Sequence, residues 1–228
     1  MSDPSSAKST AAHAGLRNYI LVTAAYWSDT VTDGATRMLV LFYFYSLGYT
    51  PFAVASLFIF YEVFGILTNL FGGYIGARFG LKTTLFIGLG TQLVALSMLA
   101  FAPQGWLVVA YVMVSQALSG IAKDMTKMSS KSAVKLIVPE NASATLYRWV
   151  SILTGSKNAL KGVGFFLGGL LLTLLDFQTA LMLLVALVGG TLVLAALLMS
   201  GGLGQANKKA KFGQMFSRNG AVNKLAAA

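Results

Sequence analysis

The 228-residue sequence contains no cysteine, which removes disulfide frameworks, thiolate metal ligands and cysteine nucleophiles from consideration. Its single histidine, His13, lies near the amino terminus, so a histidine metal site or a His-based triad has no material to be built from. Charge is scarce too, at 11% of residues against about 25% in a soluble domain. Acids are the scarcer sign, with 7 Asp and Glu against 17 Lys and Arg. No nucleophile–base pair stands out, and "TGSKN" (154–158) has P-loop residue types without P-loop spacing. An enzyme is therefore not expected, and no cofactor is implied.

Long apolar runs are what the sequence has in quantity. Hydrophobic residues make up 56% of the chain. A membrane span takes about 20 mostly apolar residues, and six runs qualify: 18–47, 52–76, 83–102, 105–128, 145–175 and 178–200. Strands of a membrane barrel would alternate over about ten residues, and that pattern is absent. The expectation is an all-α membrane protein with six transmembrane helices over 17–200. Residues 1–16, rich in Ser and Ala with no apolar core before a cleavage site, read as a disordered cytoplasmic tail rather than a signal peptide. Residues 201–228 read as a basic cytoplasmic linker leading towards a second bundle.

A net charge of +10 raises the question of nucleic acid, and its distribution answers it. Lys8, Arg17, Arg78, Lys82, Lys131, Lys135 and the basic residues beyond 207 fall in alternate connections. The other connections, "GYTP" (48–51), "PQG" (103–105) and "DF" (176–177), hold no Lys or Arg and one acid, Asp176. That asymmetry is the positive-inside pattern. It places both termini in the cytoplasm, makes the lipid bilayer of the plasma (inner) membrane the partner, and leaves no role for nucleic acid. The connection 129–143, "SSKSAVKLIVPENAS", is longer; its first half is able to continue the fourth helix as an amphipathic stretch before a turn at Pro139.

"GGYIGARFGLKTT" (72–84) joins the second and third spans. Gly73, Arg78, Gly80 and Lys82 match the loop signature between helices 2 and 3 of the major facilitator superfamily, which this segment resembles. Ala77 stands at the Asp of that pattern and Leu81 at one basic position, so the charge relay assigned to the Asp has no counterpart here. In the fifth span Gly164-Phe-Phe-Leu-Gly168-Gly169 resembles the superfamily's antiporter motif, with Phe165 for its proline. Close packing through small residues four apart explains the same glycines. Gln116 occupies the place of an arginine common in helix 4, with Lys123 and Lys127 farther down.

Four longer blocks, 26–51, 60–81, 117–139 and 146–169, resemble the organoarsenical efflux (ArsJ-like) branch of that superfamily. The resemblance implies export of 1-arseno-3-phosphoglycerate, arsenate resistance, and a functional link to the glyceraldehyde-3-phosphate dehydrogenase that makes the compound. It also implies about twelve helices, of which this chain carries the amino-terminal half. A second six-helix half or self-association would then complete the carrier.

Within the spans lie four acids, Asp29, Asp33, Glu62 and Asp124, and five bases, Arg37, Lys123, Lys127, Lys157 and Lys161, with a sixth, Arg148, near an inner end. At 1.5 Å per residue, Asp33 and Lys161 are roughly 22 Å, and Arg37 and Glu62 roughly 16 Å, from the outer ends of their helices. Spacing by four holds Asp29, Asp33 and Arg37 near one face, as it does Lys157 and Lys161. Intramembrane charges face a bundle interior or a wet cavity. Structural ion pairs, Asp33 with Lys161 for example, explain part of the set, but the bases exceed the acids. A small anionic substrate would balance the excess. Candidate binding residues are therefore Arg37, Lys123, Lys127, Lys157, Asn158 and Lys161, and candidate proton carriers are Asp33 and Glu62. Asn158, Tyr26 and Trp27 serve equally well as packing residues. Two rivals remain: a facilitator for another phosphorylated anion, such as a sugar phosphate or phosphate, and a six-helix scaffold without transport.

Overall fold

The computed structural model describes residues 4–135 and 143–199, and among them every regular element is helical. The helices are α1 (Pro4–Ser46), α2 (Pro51–Ser56), α3 (Ile59–Phe79), α4 (Leu81–Ala100), α5 (Val109–Lys135), α6 (Ser143–Leu174) and α7 (Phe177–Leu198). A single 3₁₀ turn, Gln104–Trp106, precedes α5. α2 and α3 are two parts of one span. Thr50 caps α2 by accepting from the Ala53 amide, and Pro51 fits the first turn, where its missing N–H costs nothing. The span then tightens at Leu57 and Phe58, whose amides donate three residues back, to Val54 and Ala55. Six spans result.

The spans divide into two kinds. Pro51–Gly72, Leu81–Ala100 and Phe177–Leu198 are long and apolar enough to cross a membrane on length and composition. α1, α5 and α6, with 43, 27 and 32 residues, are longer and carry most of the charged residues. Helical backbone already begins at Pro4, so residues 4–16 continue α1 where a disordered tail was expected. Alanines 7, 11, 12 and 14 favour that continuation. α5 runs on to Lys135 without a break, the continuation that 129–135 allowed. The turn at Pro139 and the segment 201–228 lie outside the described residues.

The main core joins α1, α4, α5 and α7 through residues such as Leu39, Phe44, Leu89, Leu96, Val112 and Leu181. A smaller cluster of Tyr19, Tyr26, Val134 and Leu153, with Val150, joins the amino-terminal parts of α1 and α6 to the end of α5. Where α1 meets α6, the backbones touch. A Cβ on Gly164 would overlap the Val31 carbonyl, one on Gly168 that of Ala35, and one on Gly34 would lie 2.8 Å from the Lys161 carbonyl. Packing therefore accounts for Gly164 and Gly168 in the antiporter-like sequence. α3 approaches α5 in the same way, with Gly120 against the Tyr61 carbonyl. The large side chains left outside, Phe52, Phe166 and Leu197 among them, face outward.

Candidate functional site

Charged residues of α1 and α5 are gathered by a residue of α3 that sequence reasoning missed, Tyr61. It is fully buried in the first turns of α3. Its hydroxyl donates to Asp33 Oδ1 at 2.5 Å. The Arg37 guanidinium carbon lies 3.9 Å from the centre of its ring, and Lys123 Nζ lies 4.1 Å from the same centre. One aromatic side chain from the second span thus holds an acid and a base of the first span and a base of the fourth. The available signal was a tyrosine in an apolar run, whose hydroxyl requires a partner when buried.

Arg37 also donates from Nη2 to Glu62 Oε1 at 2.5 Å, linking α1 to α3. Glu62 is largely exposed, and the Arg37 Nε is buried with no hydrogen-bond partner among the described residues. Lys127 is paired within its own helix, to Asp124 Oδ1 at 2.8 Å, and reaches Asn69 Oδ1 at 3.5 Å. The ion pair weighed for Asp33 and Lys161 does not form. Asp33, 4% exposed, is turned to Tyr61, and Lys161 runs past the Phe165 ring with Nζ 5.6 Å from its centre. Neither Lys157 nor Lys161 has a carboxylate within 4.0 Å among the described residues. Both are half-buried on the α6 stripe that contains Gly164, whereas Asn158, one residue on from Lys157, is exposed. Adjacent helical positions diverge in this way.

Other buried polar atoms lie one and two turns farther down α1 from this group. Among the described residues, Asp29, 2% exposed, has an Oδ1 with no hydrogen-bond partner, and the Tyr26 hydroxyl has none either. Trp27 donates its indole N–H to Ser156 at 3.0 Å, tying α1 to α6. A cavity of about 430 Å³ opens between α1, α2 and α6, with mostly apolar walls that include Arg37, Phe58 and Phe165. The guanidinium and the ring beside Lys161 thus border one space.

The expected gating loop is a one-residue turn. Gly80 ends α3 and begins α4 at φ 81°, a left-handed conformation that a side chain would strain. Gly73 lies within α3, and Arg78 lies with its guanidinium 5.9 Å from the Tyr74 ring. Lys82 donates to the Met199 carbonyl at 2.8 Å and so closes the carboxyl end of α7.

The Major Facilitator Superfamily profile matches residues 20–222. The chain belongs to this superfamily of membrane transporters. A search of curated proteins gave no match. Among solved structures, a POT family transporter in complex with a thioalcohol-conjugated peptide superposes with a TM-score of 0.71 at 16% identity. The match covers 92% of this chain and 44% of that one, so the chain spans less than half of that transporter's length. Such a likeness establishes the fold alone. In this superfamily member the six spans form one half of the transporter fold, and the stripe of bases on α1, α5 and α6 lies within that half.

Proposed function

We propose that the chain is the amino-terminal half of an exporter of phosphorylated organic anions, with 1-arseno-3-phosphoglycerate as substrate and arsenate resistance as the outcome. The observation that carries this reading is the pair Lys157 and Lys161, half-buried in a span with no carboxylate of the described residues within 4.0 Å. A buried ammonium without a counter-ion is unfavourable until an anion supplies the missing charge. Lys161 and Lys157 bind the substrate, with Arg37, Lys123 and Lys127 adding positive field and Asn158 at the exposed flank. Asp33 and Glu62, each already engaged by a donor, are the candidates for carrying a coupled proton in an antiport cycle. The dehydrogenase that forms the organoarsenical acts upstream. One bundle supplies half the walls of an alternating-access site, so a second six-helix half or a second copy completes it. Both termini face the cytoplasm, and the membrane is the plasma (inner) membrane.

Everted vesicles carrying the chain with its completing half test the proposal when given the dehydrogenase with its oxidised nicotinamide cofactor as hydride acceptor, its triose-phosphate substrate and arsenate. Arsenic should accumulate inside only when all three are present. Lys161→Met should lower the uptake by about tenfold or more at unchanged membrane abundance. Equal competition by a sugar phosphate or phosphate would favour a facilitator of another anion. Failure of any anion to bind or move would favour a scaffold without transport.

A further inference from the structure

Asp33 and Lys161 are placed to pair and do not. Gly34, next to Asp33, lies against the Lys161 carbonyl at the point where α1 and α6 touch, so the two charged residues occupy one level of two helices in backbone contact. An acid and a base so placed in a low-dielectric interior would ordinarily neutralise one another. What differs here is Tyr61. Its hydroxyl donates to Asp33 Oδ1 at 2.5 Å, and its position is fixed by the Arg37 and Lys123 contacts on its ring and by Gly120 against its carbonyl. We propose that Tyr61 is a positioning residue: it holds Asp33 away from Lys161, and so keeps the Lys161 ammonium available to an anionic ligand. The proposal rests on the anion-binding reading for its purpose, but not for its geometry.

Removing only the hydroxyl isolates the effect. Tyr61→Phe keeps the ring that Arg37 and Lys123 lie against and frees the Asp33 carboxylate. That carboxylate is then expected to turn to Lys161 and compete with the ligand for it. Two measurements on the purified chain separate the claims. The first needs no ligand. A hydrophobic carbodiimide joins a carboxylate to an amine in contact with it, and mass spectrometry reads the product. A 33–161 crosslink should be scarce in the native protein and abundant in Tyr61→Phe. Equal yields in the two, or none in either, overturn the proposal. The second is calorimetric titration with 3-phosphoglycerate, a phosphorylated carboxylate. Tyr61→Phe should weaken binding by about tenfold or more, and adding Asp33→Asn should restore it, because the competitor for Lys161 is then neutral. A tyrosine that only filled space would give no rescue. Should Asp33 turn instead to the free Arg37 Nε, crosslink and affinity both stay at native levels, and the proposal fails. If the native chain binds no 3-phosphoglycerate, the anion reading is what fails, and the crosslink still decides the role of Tyr61.

Discussion

Asp176 is the one acid of the short connections, and it caps α7. Its side chain accepts from the Thr179 amide at 2.9 Å and from the Thr179 hydroxyl at 2.6 Å. Those bonds, the hydroxyl's first, hold its carboxyl below the ordinary value of 3.8. A carboxylate depressed on folding contributes stability that is complete above its unfolded value and is lost as pH falls through its folded value. Asp176→Asn keeps a capping oxygen but cannot titrate. The native protein is therefore expected to melt above Asp176→Asn at neutral pH, and the gap should close as the medium is taken below about pH 4. A gap that is constant with pH would mean the charge is not what the cap uses. Sequence pattern placed this residue in its turn correctly but gave no hint of Tyr61. Hydropathy scores a tyrosine by itself, whereas Tyr61 matters through Asp33, Arg37 and Lys123, which come from 24 to 62 positions away.

At the scale of the helix, α1 and α6 form the tightest seam, backbone against backbone at Gly34, Gly164 and Gly168. In lipid no hydrophobic force drives two helices together, so close van der Waals contact through small residues takes its place. Gly164→Leu should cost about 1–3 kcal/mol or more through overpacking, seen as a lower melting temperature and lower abundance. Gly162→Ala is the control. It lies two residues away on the same helix with no described neighbour within 4 Å of its Cβ, and should be neutral or slightly stabilising. Comparable losses in both would mean that the seam is not what holds α6. The positions of the spans were legible, because twenty apolar residues have few readings in a membrane chain. Their breaks and extents were less so. The tightening at Leu57–Phe58 has no proline or glycine to announce it, and the start of α1 at Pro4 lies in a Ser/Ala stretch that reads equally as helix or coil. The Asp33–Lys161 pair was a sound expectation from depth alone, and it failed because depth says nothing of which neighbour a side chain turns to.

Across the whole molecule, orientation follows from charge. A cysteine introduced at Gly105, in the connection without Lys or Arg, should react with an impermeant thiol reagent added outside the cell. One at Arg17, just before the first apolar run, should react only after lysis. Both positions are exposed, and the chain has no native cysteine to confuse the result. The reverse pattern would overturn the topology. The three apolar spans are 20 to 22 residues long, close to the roughly 30 Å of a bilayer core. Helices of 43, 27 and 32 residues cannot fit in the same thickness, and their excess lies at one end: the start of α1, the finish of α5 and the start of α6. That end carries the separate cluster of Tyr19, Tyr26, Val134 and Leu153, with Tyr19 and Trp149 meeting edge to face at 5.3 Å. The molecule therefore answers to two solvents. Its embedded part is held by close contact that lipid neither helps nor opposes, while the protruding end is held by expulsion of water. The second force weakens on cooling and the first does not, so cold loosens the protruding end before it touches the seam between α1 and α6.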